Sequence, residues 1–227
     1  MRPTFTLSDI FETPSRARVL RVLARSRAPM SARAVGRAAG LSHTAASATL
    51  RDLDAMGLVT ASPVGRAIAY ELRRSNAYVR HMVLPAIEAE QTIIDELREE
   101  LVRMLAEDTE SLILFGSYAS GDQDEASDID VFALVPDERA KQQLEMRVTA
   151  SHAYFEETYG SPLSVLVYTR ADAQRHLSGG QDSFRTELES TGIILHGLGV
   201  SEWGIDGSHD EEAHRTEEPR EATARQG

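Results

Sequence analysis

Two short clusters in this chain hold residue types that act together on a phosphorylated ligand: Gly116-Ser117 and Asp128-Ile129-Asp130. Ten residues separate Ser117 from Asp128. Alternate side chains of an extended strand share a face, so Asp128 and Asp130 are expected to point one way and Ile129 the other. Two carboxylates side by side repel unless a cation lies between them. Hard oxygen donors of this kind suit Mg²⁺, which completes its shell with water and substrate phosphates. A glycine lets the backbone approach a phosphate closely, and Ser117 offers hydroxyl and amide donors where a helix starts. The implied chemistry is metal-assisted handling of a phosphate, with catalytic and metal-binding roles for Asp128 and Asp130.

Such a site needs strands to hold it, and the surrounding pattern supplies them. Short apolar runs over 112–115, 129–135 and 163–168 read as strands, with helical segments near 117–121 and over 138–159. A further helix is expected over 181–190 and a short last strand over 192–195. Gly116-Ser117 then turns out of the first strand, and Asp128 and Asp130 open the second. From residue 201 the chain is acidic and polar with no apolar period, which predicts a disordered tail over 201–227.

Strand, Gly-Ser, helix and then Asp-x-Asp within another strand resembles the signature of the DNA polymerase β nucleotidyltransferase superfamily. The spacing is similar to that of its small, minimal members, and the resemblance covers about 108–200. It implies that Gly116 and Ser117 hold a nucleoside triphosphate, ATP or another, and that Asp128 and Asp130 hold Mg²⁺. It further implies transfer of a nucleotidyl group, usually AMP from ATP, to a hydroxyl or a phosphate. Active members of that family commonly carry a third carboxylate on a later strand. Here that strand is Pro162-Leu163-Ser164-Val165-Leu166-Val167-Tyr168, with Ser164 where the acid is expected and Asp172 four residues past its end. Minimal members often act as antitoxins on a separate toxin, which makes a toxin partner a further expectation.

The N-terminal part reads differently. Helices are expected over 14–23, 31–39 and 42–56, capped by Ser31 and Ser42 and separated by Gly40. Ala45, Ala48, Leu50 and Leu53 are the inward positions of the third helix. Strands beginning at residues 57–59 and spanning 67–72 flank a Ser-Pro-Val-Gly-Arg turn. Three helices followed by this hairpin, in "AVGRAAGLSHTAASATLRDLDAMGLVTASPVGRAIAYEL", resembles the helix-turn-helix and wing of bacterial MarR- and ArsR-like regulators. The resemblance covers about residues 10–75 and implies duplex DNA as a partner, read by a homodimer on paired half-sites. The candidate DNA contacts are Ser42, His43, Thr44, Ser47 and Arg51 on the third helix, and Arg66 at the hairpin tip.

Charge divides along the same line. Residues 1–80 carry 13 arginines and five acidic residues, a balance of +8, while the rest carry 11 basic and 31 acidic residues, a balance of −20. A basic head on an acidic body suits a nucleic-acid-binding unit joined to one that avoids nucleic acid. With no cysteine, disulfides and cysteine-ligated zinc or iron–sulfur sites are excluded. No stretch reaches membrane-spanning length and the start lacks a signal-peptide core, so a cytoplasmic protein is expected.

The expected architecture is therefore an α/β two-domain chain. A winged-helix domain over 1–75 precedes a connecting or dimerisation helix over 76–107, in which apolar residues recur three, four or seven apart. A nucleotidyltransferase α+β domain with a small mixed sheet follows over 108–200. Beside the antitoxin role that the resemblance implies, two functions are compatible with it. One is a Mg²⁺-dependent nucleotidyltransferase directed by its DNA-binding head. The other is a transcriptional regulator whose catalytically degenerate second domain serves as a nucleotide sensor or dimerisation body.

Overall fold

A computed structural model describes residues 5–65, 67–121, 127–177 and 183–204. The chain forms two compact units that divide between Asp95 and Glu96, within the segment 76–107 expected from the sequence as a connecting helix. The reason lies in one helix. Its leading turns put Leu84 and Ile87 against the first core, whereas its later turns bury Leu97, Leu101 and Leu105 in the second. No described helix is long and apolar enough to cross a membrane.

The first unit begins with a short helix α1 (Leu7–Ile10) and continues through α2 (Pro14–Arg25), α3 (Ala32–Ala38) and α4 (His43–Ala55). Each main helix starts where a side chain satisfies an orphan amide: Thr13 accepts from Arg16, Ser31 from Ala34 and Ser42 from Ala45. Gly40 ends α3 at φ +63°, a left-handed conformation that side chains rarely adopt, and so turns the chain into α4. Strands β2 (Val59–Val64) and β3 (Ala67–Leu72) form an antiparallel hairpin, and the two-residue β1 (Met30–Ser31) pairs with the far side of β3. Val19, Leu20, Leu23, Val35, Leu50, Leu53, Leu58 and Val59 make the core between helices and hairpin.

Within α4 the buried stripe is Ala46, Thr49, Leu50 and Leu53, while Ala45 is only half-buried and Ala48 exposed. This corrects the expected inward set. Counting back one turn from Leu50 and Leu53 gives positions 46 and 49, and those are the residues that meet the core. Ahead of the long helix α5 (Leu84–Leu105), residues Val79–Val83 form a π-helical turn. Pro85 has no N–H to give its i−4 carbonyl, which loosens the ladder at that point.

The second unit is a four-stranded sheet in the order β6-β5-β4-β7. Its strands are β4 (Ser111–Phe115), β5 (Ile129–Val135), β6 (Leu163–Thr169) and β7 (Ile193–Gly197). Strands β4, β5 and β7 pair antiparallel, and β5 pairs with β6 in parallel. Such a mixed sheet with helices is the α+β architecture expected. One face packs Leu112, Leu114, Val131, Ala133 and Val165 against α5 and α7 (Glu138–Tyr159). The other carries Ile113, Phe132 and Leu134 against α8 (Arg170–Leu177) and α9 (Ser183–Ser190). Because both faces are covered, β5 is buried along nearly its whole length and reads as a continuous apolar run.

Neither α1 nor α8 was evident in the sequence. Residues 201–203 do not fit the expected tail, because Val200–Glu202 form a 3₁₀ turn and Trp203 is buried, stacked on Phe132 with ring centroids 5.0 Å apart. Residues 205–227, the remainder of that tail, lie outside the described residues.

Candidate functional site

The two clusters that opened the sequence argument meet at the end of β4. Register pairs Phe115 with Asp130 across the β4–β5 ladder. The next residue, Gly116, has φ +68° and starts the five-residue helix α6 (Gly116–Ser120). A Cβ added to Gly116 would lie 2.7 Å from Asp130 Oδ2. The glycine backbone is thus pressed against the carboxylate, and this approach is open to no other residue type. Ser117 follows, half-buried. Asp128 sits one residue before β5 and is exposed, whereas Asp130 lies on the strand and is half-buried.

Strand β6 contributes Ser164, in register with Asp130, with its hydroxyl near enough to favour the ionised carboxylate. Burial raises the Asp130 pKa above the ordinary aspartate value, the charge of Asp128 raises it further, and the Ser164 hydroxyl pulls the other way. Glu187 adds a smaller repulsion. It stands on α9, one turn beyond Phe184, whose ring meets Phe115 edge-on at 5.2 Å, and beside the buried Leu188. Sequence reasoning missed Glu187. Nothing local marks it, because its place depends on α9 lying across the Asp130 face of the sheet.

The sequence left Asp172 as a substitute third carboxylate, and the structure assigns it elsewhere. Its Oδ2 accepts from the Thr169 amide at 3.1 Å and from Lys141 Nζ at 3.0 Å, and its Oδ1 accepts from Arg175. The Thr169 amide, followed by Lys141, holds its pKa well below the usual carboxylate range. Asp172 therefore caps α8 and ties it to α7.

Two carboxylates and a hydroxyl, all hard oxygen donors and two of them repelling, fit one divalent cation that takes its other ligands from water and phosphate. Among the described residues no group of three or more His, Cys, Asp or Glu side chains converges to hold a metal.

In the first unit α4 leaves Ser42, His43, Thr44 and Arg51 exposed and Ser47 half-buried, with Arg51 Nε bonded to the Ser47 carbonyl at 3.2 Å. They form one solvent-facing stripe beginning at the N-terminus of α4, where a helix-turn-helix presents residues to a groove. Arg33 and Arg37 stand exposed one turn apart on α3. They were not anticipated, although their spacing of four was visible. Arg66 lies outside the described residues, between Gly65 and the start of β3.

Comparison with known proteins gives two family matches, "Nucleotidyltransferase domain" over residues 94–191 and "MarR family" over residues 13–67. A relative named "Putative protein adenylyltransferase MJ0141", from Methanocaldococcus jannaschii, is 31% identical over 104 residues, 44% of this chain and 93% of the relative. Among solved structures, a toxin–antitoxin crystal structure with AMP-PNP matches at 20% identity and TM-score 0.29, covering 44% of this chain and 73% of that one. A winged helix-turn-helix DNA-binding domain of Mycobacterium bovis, described as a possible ArsR-family transcriptional regulator, matches at 22% identity and TM-score 0.31, with 44% and 95% covered.

Proposed function

This chain belongs to the nucleotidyltransferase domain family and is similar to the MarR family over residues 13–67, and from that premise we propose that it transfers AMP from ATP to a protein hydroxyl while its head binds duplex DNA. The observation that carries the reading is the packing of Gly116 onto Asp130, with Asp128 and Ser164 beside it. The similarity to a relative named as a protein adenylyltransferase supports a protein acceptor.

In this reading the open backbone at Gly116 and the Ser117 hydroxyl and amide receive the triphosphate, and Asp128 and Asp130 hold Mg²⁺. The bound cation would neutralise charge on the triphosphate and polarise the phosphoryl oxygens. Since α6 has only five residues, its dipole contributes little; local donors and the cation dominate. The acceptor oxygen forms a bond to the α-phosphorus, the bond to the β-phosphate oxygen breaks, and pyrophosphate departs. Glu187, whose charge is felt at Asp130, is the carboxylate we assign to take the acceptor proton, since Ser164 occupies the strand position and Asp172 is committed to Lys141 and Arg175. Charge supports the DNA role of the head, a homodimer on paired half-sites being the arrangement such heads favour.

The test is incubation with α-labelled ATP, Mg²⁺ and candidate protein acceptors, including a protein encoded beside this one. Label on a protein, abolished by Asp128→Asn/Asp130→Asn and reduced by Glu187→Gln with ATP affinity kept, supports transfer. The serine in register with Asp130 favours one second reading, a regulator that binds nucleotide as an effector. Under it ATP binds, no label is transferred, and DNA affinity changes with ATP.

A further inference from the structure

Eight of the 13 arginines of the first unit fall into three groups. Arg16 and Arg21 are spent on internal contacts, Arg16 with Glu12 and the Asp9 carbonyl and Arg21 with Glu90. Arg51 stands on the helix expected to face DNA, and Arg33 and Arg37 stand exposed on the preceding helix α3. The third group, Arg27, Arg73 and Arg74, lines a single cleft of about 580 Å³ together with Thr60, Glu71 and Ser75.

That cleft is at the wrong end of the unit to be a DNA contact. It borders the Thr60–Glu71 pair at the base of the β2–β3 hairpin, whereas the tip is the Val64–Ala67 pair. Strand rise puts roughly 13 Å between them. It also borders the chain leaving α4, since a Cβ on Gly57 would lie 3.6 Å from Arg73 Nη1. Of the candidate groove contacts, Ser42, His43, Thr44 and Ser47 lie toward the opposite, N-terminal end of that 13-residue helix, whose ends are roughly 18 Å apart, while Arg51 lies nearer the cleft end.

Two of the three guanidinium groups are held in place. Arg73 Nε donates to Thr60 Oγ1 at 3.1 Å, and Arg74 Nη2 donates to the Ala24 carbonyl at 2.7 Å. Each bond uses one of five N–H donors, so the remaining fork stays available for a planar or tetrahedral anion. Arg27 makes no hydrogen bond or ion pair among the described residues. Three cations against one carboxylate, Glu71, leave the lining with two uncompensated positive charges. The three guanidinium groups are exposed, so the cleft presents a cationic surface open to a dissolved anion, and its volume is in the range of small-ligand sites.

We propose that this cleft binds a small phosphorylated polyanion carrying at least two negative charges, at a site separate from both the DNA-facing helices and the Gly116–Asp130 cluster. Arg73 and Arg74 form the preoriented fork and Arg27 closes on the anion from the α2–β1 connection.

The experiment is titration of the full chain with inorganic pyrophosphate by calorimetry and by amide NMR shifts, at about 0.15 M salt and with EDTA to remove divalent cations. Saturable binding is expected, with shifts at Thr60, Glu71 and Ser75. Losing charge-assisted contacts in Arg73→Gln/Arg74→Gln should weaken it on the order of tenfold or more. Arg27→Gln, which breaks no described hydrogen bond, should weaken it severalfold. Absence of binding, or equal affinity in these variants, overturns the proposal. So does loss of binding in Ser117→Ala, which would move the anion to the other unit. Displacement of pyrophosphate by a short DNA duplex would assign the arginines to the phosphate backbone, and equal binding of malonate would remove the phosphoryl assignment.

Discussion

Replacing Gly116 by alanine is expected to destabilise the second unit through two separable causes. The backbone angle of +68° is left-handed and costs a residue with a Cβ about 1–2 kcal/mol. The new Cβ also lies 2.7 Å from Asp130 Oδ2, so the carboxylate must move against a packed strand, at a cost of about 1–3 kcal/mol. Together Gly116→Ala should cost roughly 2–5 kcal/mol. In an Asp130→Ala background the clash disappears, because the next atom common to both side chains, Asp130 Cβ, is at 3.5 Å, an ordinary contact. Only the backbone cost then remains, so the cycle should show a coupling of about 1–3 kcal/mol between the two sites. Denaturant unfolding followed by Trp203 fluorescence measures this directly, since the single tryptophan is buried in this unit against Phe132. Equal costs of Gly116→Ala in the two backgrounds would refute the close approach on which the site rests.

Asp130→Asn should stabilise the second unit at neutral pH. Burial and Asp128 raise the Asp130 pKa on folding, so its ionised form opposes folding fully above the folded pKa and ceases to do so below the unfolded value near 3.8. The advantage of the variant over wild type should therefore shrink as pH falls through that window; a constant advantage would contradict the assignment. Asp172→Ala should cost about 2–4 kcal/mol by the same fluorescence assay, through loss of the cap and of the Lys141 and Arg175 partners. As its pKa is lowered on folding, the wild-type contribution should be complete above 3.8 and decline as pH falls below it. Arg51→Ala and Arg66→Ala should each weaken duplex DNA binding and make its salt dependence shallower by about one phosphate contact. Retained affinity and slope in both would count against the third helix and hairpin as the DNA-facing surface.

Much of the architecture was legible because it rests on local signals. Ser31, Gly40 and Ser42 punctuate the helices by capping and left-handed turns, and β3 falls over the predicted residues because its apolar run is bounded by turn residues. The Gly-Ser and Asp-x-Asp clusters were likewise readable from residue type and spacing. What escaped depended on packing across the sheet. The charge of Glu187 is felt at Asp130 because Phe184 and Leu188 pack α9 against the sheet. Asp172 looked available until α7 supplied Lys141. Trp203 sits in a stretch too polar to show a period, yet one aromatic contact with Phe132 draws it into the core. Leu50 and Leu53 were placed inward correctly, but the two earlier inward positions of α4 were misplaced by one residue, since alanine-rich helices offer little contrast between buried and exposed positions. The basic head was read as a single DNA-binding surface; composition does not separate arginines tied to Glu90, those on α3 and α4, and those around the cleft.

The central claim, a working metal–nucleotide site at Gly116, Ser117, Asp128 and Asp130, is tested most directly by calorimetric titration of the full chain with ATP in the presence of Mg²⁺, beside the Asp128→Ala/Asp130→Ala variant and an Arg73→Gln/Arg74→Gln control. The account predicts saturable, Mg²⁺-dependent binding that the aspartate variant loses and the arginine control keeps. Absence of any Mg²⁺-dependent nucleotide binding in the wild type, or its survival without both aspartates, would contradict it.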